Sequence, residues 1–447
     1  MTPLLAAIVC AVFVLHLFWQ DAKSNPGASP GLWIPLIWMF LAGSRWASSW
    51  LNLSAPSDTE FAYAEGSPID RAVFLLLIGV GAVVLARRKI AWGPLLGKNR
   101  LLLLYFLYCL VSISWSDEPF VAFKRWFKDL GNPIMVLVIL TTPNPLQALA
   151  QTMRRLSFLF LPLSLLFVRY YPELGRAYKT SGEPMYTGIG SQKNDLGLMC
   201  LMAGIYFLWQ IFQDRARFLA WAKGQRLPFY LLAAILAWLL HMSDSQTSLS
   251  CLVVSGAVIL AGQLPFVRSR PPALVPLIVT TALGYMALDM VFDFRNQLLS
   301  LLGRDPSLTN RTEVWKLLFS MDTNPMFGSG FMSFWTGERM QQIWSTMGTI
   351  NQAHSGYIEQ YLNLGYVGVA FMALLLVVAF LRAGSQLGTE PSMATLRICL
   401  ILSAILYNYT EASFYGVNNM WVLTLVALIQ LPDSQQAPVG SASPNPT

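Results

Sequence analysis

Charge is what this chain has least of. Only 12% of its 447 residues are Asp, Glu, Lys or Arg, where an ordinary soluble domain carries about 25%. That shortage, a hydrophobic share of 55% and a mean hydropathy of +0.50 argue against a soluble globular protein. Histidine is also scarce, with three in the whole chain. The five cysteines, Cys10, Cys109, Cys200, Cys251 and Cys399, all fall in apolar runs, and none form a CxxC pair. They read as small packed residues, not as disulfides or metal ligands. HExxH, a Walker-type GxxxxGK[ST] and paired Asp-x-Asp are all missing; the SDS at 243–245 does not qualify. Those absences count against a zinc site and a nucleotide-driven pump. Any phosphate chemistry then falls to arginine and lysine. The net charge of +7 fits basic cytoplasmic loops better than a nucleic-acid surface.

What is present is a long series of apolar runs. They lie at 3–19, 31–50, 70–88, 101–116, 130–142, 156–171, 195–213, 228–242, 247–264, 273–292, 354–381, 397–409 and 417–431. Crossing a bilayer takes about 20 residues, so the short runs 130–142 and 397–409 must extend into their flanks or be re-entrant. The expectation is an all-α polytopic membrane protein with 12–13 transmembrane helices. Residues 1–431 form one integral membrane domain. A tail of Ser, Pro, Gly and Gln, 432–447, reads as disordered. Residues 1–19 lack a basic leader segment, which favours a first helix over a cleaved signal.

The basic loops set an orientation. Segment 87–100 carries five Lys and Arg and no acid. Segment 214–227 carries Arg215, Arg217, Lys223 and Arg226, and Arg154-Arg155 and Arg268-Ser-Arg270 are further basic points. Counted through the spans, they fall on one side, the cytoplasm by the positive-inside rule. The other side receives 51–69, 117–129, 172–194, 243–246, 293–353 and 410–416. The longest of these, 293–353, is therefore an outer loop.

That loop has local structure. In GRDPSLTNRTEVW (303–315) a Gly-Arg-Asp-Pro turn precedes Asn310, an N-cap with Glu313 as its capping-box partner. Val314, Trp315, Leu317, Leu318 and Met321 give the helix an apolar side, and Asn324-Pro325 stops it. Arg311 stands at the first helical position, where free N–H groups and the helix dipole favour an anion. Arg304 lies across the turn. Two guanidiniums there suit phosphate or diphosphate, which each can grip in a bidentate way. Pairing of Arg304 with Asp305 or Glu313, and of Arg311 with lipid headgroups, is the plainer alternative.

Two more outer segments carry cations. Residues 169–197 contain Arg169, Arg176, Lys179 and Lys193, against the charge bias of that side. They read either as an anion-binding set or as partners of Glu173, Glu183 and Asp195. Segment 117–129 interleaves Lys124, Arg125 and Lys128 with Trp126 and Phe127, an interfacial amphipathic stretch facing anionic headgroups. His354 opens the span after the long loop. At about 100° per residue, Tyr357 and Tyr361 share its face, while Glu359 sits about 140° away. A histidine can take a proton from a hydroxyl near neutrality; packing at the interface is the alternative. His16 is mid-span, and His241 ends a run beside Ser243 and Asp244.

Three stretches carry a family resemblance. GSQKNDLG (190–197) resembles an HKN-x-LG motif, GRDPSLTNRTEVW resembles GRDxTLTGRTxxW, and NQAHSGYIEQYLNLGYVG (351–368) resembles NAHNxYLExxLxxGxxG. Together they are similar to the O-antigen ligase and polysaccharide polymerase superfamily, and most to its exopolysaccharide polymerase branch. Gln192 stands in place of a common histidine and Asn310 in place of a common glycine. The resemblance covers roughly residues 115–430. It implies a GT-C-like, metal-independent membrane glycosyltransferase of the bacterial inner membrane, without a cofactor. The implied donor is an undecaprenyl-diphosphate-linked glycan presented on the periplasmic side. The implied acceptor is a new repeat unit or lipid A-core, with membrane lipids and other polysaccharide assembly proteins as further partners. On this reading His354 is the base. Arg304 and Arg311 hold the diphosphate, Arg176 and Lys193 assist, and Arg125, Tyr357 and Glu359 complete the substrate site.

Two other classes compete. A transporter or flippase of lipid-linked sugars would line its mid-membrane with paired polar residues; the spans are nearly free of them, Arg45 being the main exception. A scaffold of an export complex would not need Arg304, Arg311 and His354 on one side.

Overall fold

The computed structural model describes residues 1–51, 66–179, 182–213, 215–293 and 311–432. The protein is all-α, as the apolar runs predicted. Among the described residues the one sheet is an antiparallel hairpin of Arg176–Tyr178 and Pro184–Tyr186, with Ala177 opposite Met185. Six helices among the described residues are long and apolar enough to cross a membrane, or eight when each of two bent pairs counts as one span. Four shorter apolar helices join them: Pro30–Gly43, Leu227–Ser243, Gln246–Ala261 and Asn419–Leu428.

Helix starts follow local chemistry. Proline opens Pro3–Ser24, Pro68–Ala86, Pro119–Asp129, Pro145–Tyr170 and Pro391–Thr410, where its missing N–H would have had no intrahelical partner. Thr2, Ser67 and Asn144 cap three of these with side-chain oxygens. The short run 397–409 extends back to Pro391, so flank residues complete it. The run 130–142 continues from the amphipathic helix Pro119–Asp129, and the pair then turns by 119° into Pro145–Tyr170. The run 101–116 is likewise half of a pair bent by 81° at Asn99. Hydrophobic runs reveal apolar length but not these bends.

Helices Lys193–Gln213 and Pro391–Thr410 form the centre, each with 72% of its apolar window buried, against 6% for Pro271–Phe292. Apolar side chains gain little by leaving lipid for protein, so close approach and polar contacts hold such a bundle. Gly356 shows the first: a Cβ there would lie 2.1 Å from Asn408 Oδ1, so only glycine lets the two helices meet.

Loops assigned to one side by the charge pattern gather at one end. Arg45 donates to Leu174 O and Ser116 Oγ meets Ser333 Oγ at 2.6 Å. Arg339 pairs with Asp117 at 2.7 Å, and Thr247 Oγ1 meets Thr410 Oγ1 at 2.5 Å. At the opposite end, buried Arg397 donates to Gln386 Oε1, Gln430 Oε1 and Ile429 O, pinning the segment after Asn419–Leu428. There too Asp21, 2% exposed, accepts from Arg154, from Arg155 Nε at 2.7 Å and from Gln151 Nε2 at 3.2 Å. The spans thus hold more charge than their sequence suggested. Arg397 and Glu359 lie within two turns of their helix starts, near the bundle ends. An Asp21→Ala protein is expected to lose about 3–5 kcal/mol, because two guanidiniums lose the one carboxylate that they meet among the described residues. Thermal unfolding in detergent checks this, and an unchanged melting temperature would reject it.

The span after the long loop is interrupted. Within Gly356–Gln386, Gly365 adopts φ 63° and ψ −166°, a conformation open mainly to glycine. Residues 325–330 fill the break. Tyr366 N donates to Pro325 O at 2.9 Å and Val367 N to Met326 O at 3.2 Å, while Ser329 N and Gly330 N donate to Leu362 O and Asn363 O. A separate small core of Leu318, Met321, Phe334, Trp335, Ile343, Ala353 and Leu362 lies under this loop.

Candidate functional site

The site assembles on Glu411, the residue that ends helix Pro391–Thr410. The C-terminus of a helix carries partial negative charge, and an acid there needs compensation. It comes from three directions. Asn194 Nδ2, at the start of Lys193–Gln213, donates to Glu411 Oε1 at 2.8 Å. Arg311, the first residue of Arg311–Ser320, donates from Nη2 to the same oxygen at 3.3 Å and from Nη1 to Thr410 O at 2.6 Å. Gly356 N, opening the third helix, donates to Glu411 O at 2.9 Å. Three helix N-termini thus meet the C-terminus of a fourth, a local concentration of N–H groups and positive dipole ends.

His354 lies in this ring. Its Nδ1 is 3.9 Å from Glu411 Oε2, the carboxylate oxygen that Asn194 and Arg311 leave open. Nδ1 is buried and has no hydrogen-bond partner among the described residues. The side chain remains 34% exposed, so the imidazole has one edge toward Glu411 and another toward the open. Its backbone is left-handed at φ 51°, a conformation histidine adopts more readily than most residues. Arg311 is 23% exposed and commits two donors to Thr410 and Glu411; a guanidinium has five.

The other expected site residues lie as follows. Lys193 borders Asn194, with Nζ 3.9 Å from Asp244 Oδ2 and its side chain 35% exposed. Arg176 turns away to Val168 O, at 3.1 and 2.9 Å, and stacks over Tyr186. Arg125 donates to Met332 O and so anchors the loop that fills the Gly365 break. Tyr357 donates to Ile405 O at 3.0 Å and packs edge-on against Phe414. Glu359 is 1% exposed and faces the interior. Arg304 and the Asn310 cap lie outside the described residues. The structure therefore joins His354 and Arg311 at Glu411, turns Lys193 toward Asp244, and does not bring Arg176, Arg125, Tyr357 or Glu359 into hydrogen-bond contact with Glu411. In the hairpin, Lys179 and Glu183 pair at 2.7 Å. That hydrogen bond, with their mutual attraction, pushes the lysine up and the acid down.

Sequence reasoning missed Glu411 and Asn194. For Glu411 a signal existed: an acid in the short loop 410–416, placed at the unfavourable end of a helix dipole. Asn194 sat inside the GSQKNDLG motif without an assigned role.

Fold and site define a polytopic membrane protein that collects arginine, histidine and helix N-termini at one end of its bundle. Residues 231–373 match the family model of the O-antigen ligase, the superfamily that the chain's motifs resemble. The match includes Arg311 and His354. The chain is 23% identical over 318 residues to the exopolysaccharide production protein ExoQ of Rhizobium meliloti (strain 1021), covering 68% of this chain and 69% of that protein. It is 22% identical over 259 residues to a Rickettsia prowazekii (strain Madrid E) protein described as a polysaccharide ligase, covering 54% of this chain and 61% of that protein.

Proposed function

We propose that the protein is a membrane glycosyltransferase that extends or transfers an undecaprenyl-diphosphate-linked glycan on the periplasmic face. The observation that carries this reading is the convergence of His354 and Arg311 on Glu411. The acceptor hydroxyl attacks the anomeric carbon as the bond to the diphosphate oxygen breaks. The hydroxyl proton passes to His354 Nε2, the ring nitrogen left when Nδ1 turns to Glu411. Glu411 stabilises the imidazolium, and 3.9 Å is a separation that can tighten once substrate is bound. Charge develops on the diphosphate, where the remaining Arg311 donors and the helix N-termini act. Lys193, next to Asn194 in sequence, is the second cation in this reading, and Arg304 belongs to the same motif as Arg311. A single direct displacement inverts the anomeric centre.

Similarity to ExoQ over two thirds of the chain favours polymerisation. The family's name and the Rickettsia relative favour a second reading, ligation to lipid A-core. The experiment is a size profile of secreted and cell-surface glycans in a deletion strain complemented with this gene. Loss of long secreted polysaccharide with glycan still attached to lipid A-core means polymerase. Loss of that attachment, with polymer accumulating on its lipid carrier, means ligase. Profiles unchanged by the deletion would sink both.

A further inference from the structure

Glu359 is a buried carboxylate that the reaction scheme leaves without a task. Four donors close on it. Trp335 Nε1 lies 3.0 Å from both oxygens, Ala353 N is 2.6 Å from Oε1, Asn363 Nδ2 is 3.2 Å from Oε2, and Tyr415 O–H donates to Oε2. These donors come from the loop core, the segment before His354, the same helix one turn on, and the loop after Glu411. A carboxylate is an acceptor only, with room for about four such bonds. A glutamine would turn an NH₂ group toward some of the same donors.

The bond to Ala353 is the informative one. Ala353 is 0% exposed and held at both ends: its N–H by Glu359, its carbonyl by Trp315 Nε1 at 2.8 Å. On the other side of His354, Ser355 Oγ donates to Asn408 O at 3.4 Å and Gly356 N to Glu411 O at 2.9 Å. His354 is thus suspended between two anchored neighbours. A left-handed backbone is unfavourable for a residue that carries a Cβ, and such a conformation persists only where its surroundings enforce it. Tyr415 links the same carboxylate to the 411–416 loop, so both halves of the His354–Glu411 pair are referenced to Glu359.

We infer that Glu359 is the positioning residue of the site: it fixes the backbone that aims the His354 imidazole at Glu411 and the acceptor hydroxyl. This rests on the reading of His354 as the base. Glu359 touches no substrate; it acts through the loop.

A double-mutant cycle on the purified full-length protein in nanodiscs, assayed with a lipid-diphosphate-linked glycan, tests it. Glu359→Gln is expected to lower kcat by about 10- to 100-fold, the scale of an ångström-sized misplacement, with KM for the donor within about twofold. In a His354→Asn background the same change is expected to cost nothing further, because residues acting as one unit are not additive. Tyr415→Phe removes one donor and keeps the carboxylate. It carries the same test, with a loss of several-fold, should Glu359→Gln not fold. Losses that multiply in the double variants, or a rise in KM in place of a fall in kcat, would overturn the inference while leaving His354 as base. A fully active His354→Asn protein would instead remove the base assignment and the inference with it.

Discussion

A His354→Asn protein is expected to insert and fold as the wild type does, and to transfer glycan about 10²- to 10⁴-fold more slowly, the usual contribution of a positioned general base. Asparagine is the sharper substitution because it tolerates the left-handed backbone that His354 adopts at φ 51°. Alanine would add strain of its own at that position. The loss should appear in kcat with little change in the donor KM, since Arg311 and the helix N-termini remain in place. Steady-state transfer assays with a synthetic lipid-diphosphate donor measure it. A loss under about threefold would leave the imidazole a packing role.

Neutralising Glu411 is the second large effect. Glu411→Gln keeps an oxygen for Asn194 and the backbone carbonyl that receives Gly356 N–H, so the helix ends stay joined. It removes the negative charge 3.9 Å from His354 Nδ1 and 3.3 Å from Arg311 Nη2. The imidazolium formed as the hydroxyl loses its proton then has no counter-charge. The expected fall in kcat approaches about 10⁴-fold, the effect of neutralising the acid behind a catalytic histidine. Arg311 is at the same time released from its carboxylate, so donor affinity should hold or improve. A fall in kcat with an unchanged or lower donor KM is the signature. A higher donor KM with kcat intact would place Glu411 among the binding groups.

Much of this could be read before the structure, for physical reasons that particular residues display. Apolar runs mark helices because lipid demands them, and each of the thirteen finds a helix or half of a bent pair. Arg311 is the first described residue of helix Arg311–Ser320. The loops grouped by charge meet at one end. The rest depends on contacts between residues far apart in sequence. Glu411 lies 217 residues from Asn194 and 100 from Arg311, and no periodicity encodes which helix ends abut. Arg176 was counted by its charge, while its direction follows from a turn that brings Val168 O within reach. Glu359 carried the charge of a site residue; only packing turns that carboxylate inward.

The loop that completes the Gly365 break bears on how substrate arrives and product leaves. Its carbonyls and N–H groups replace the bonds that the interrupted helix cannot make for itself. Lifting residues 325–330 away would strip several backbone groups of their partners at the edge of the membrane, at several kcal/mol for each one left in hydrocarbon. Arg125 on Met332 O and the Arg339–Asp117 pair fasten the residues that follow this segment. This loop is a fixed wall rather than a door. On the proposed function, a lipid-borne donor would then have to reach His354 between helices from within the bilayer and not past residues 325–330.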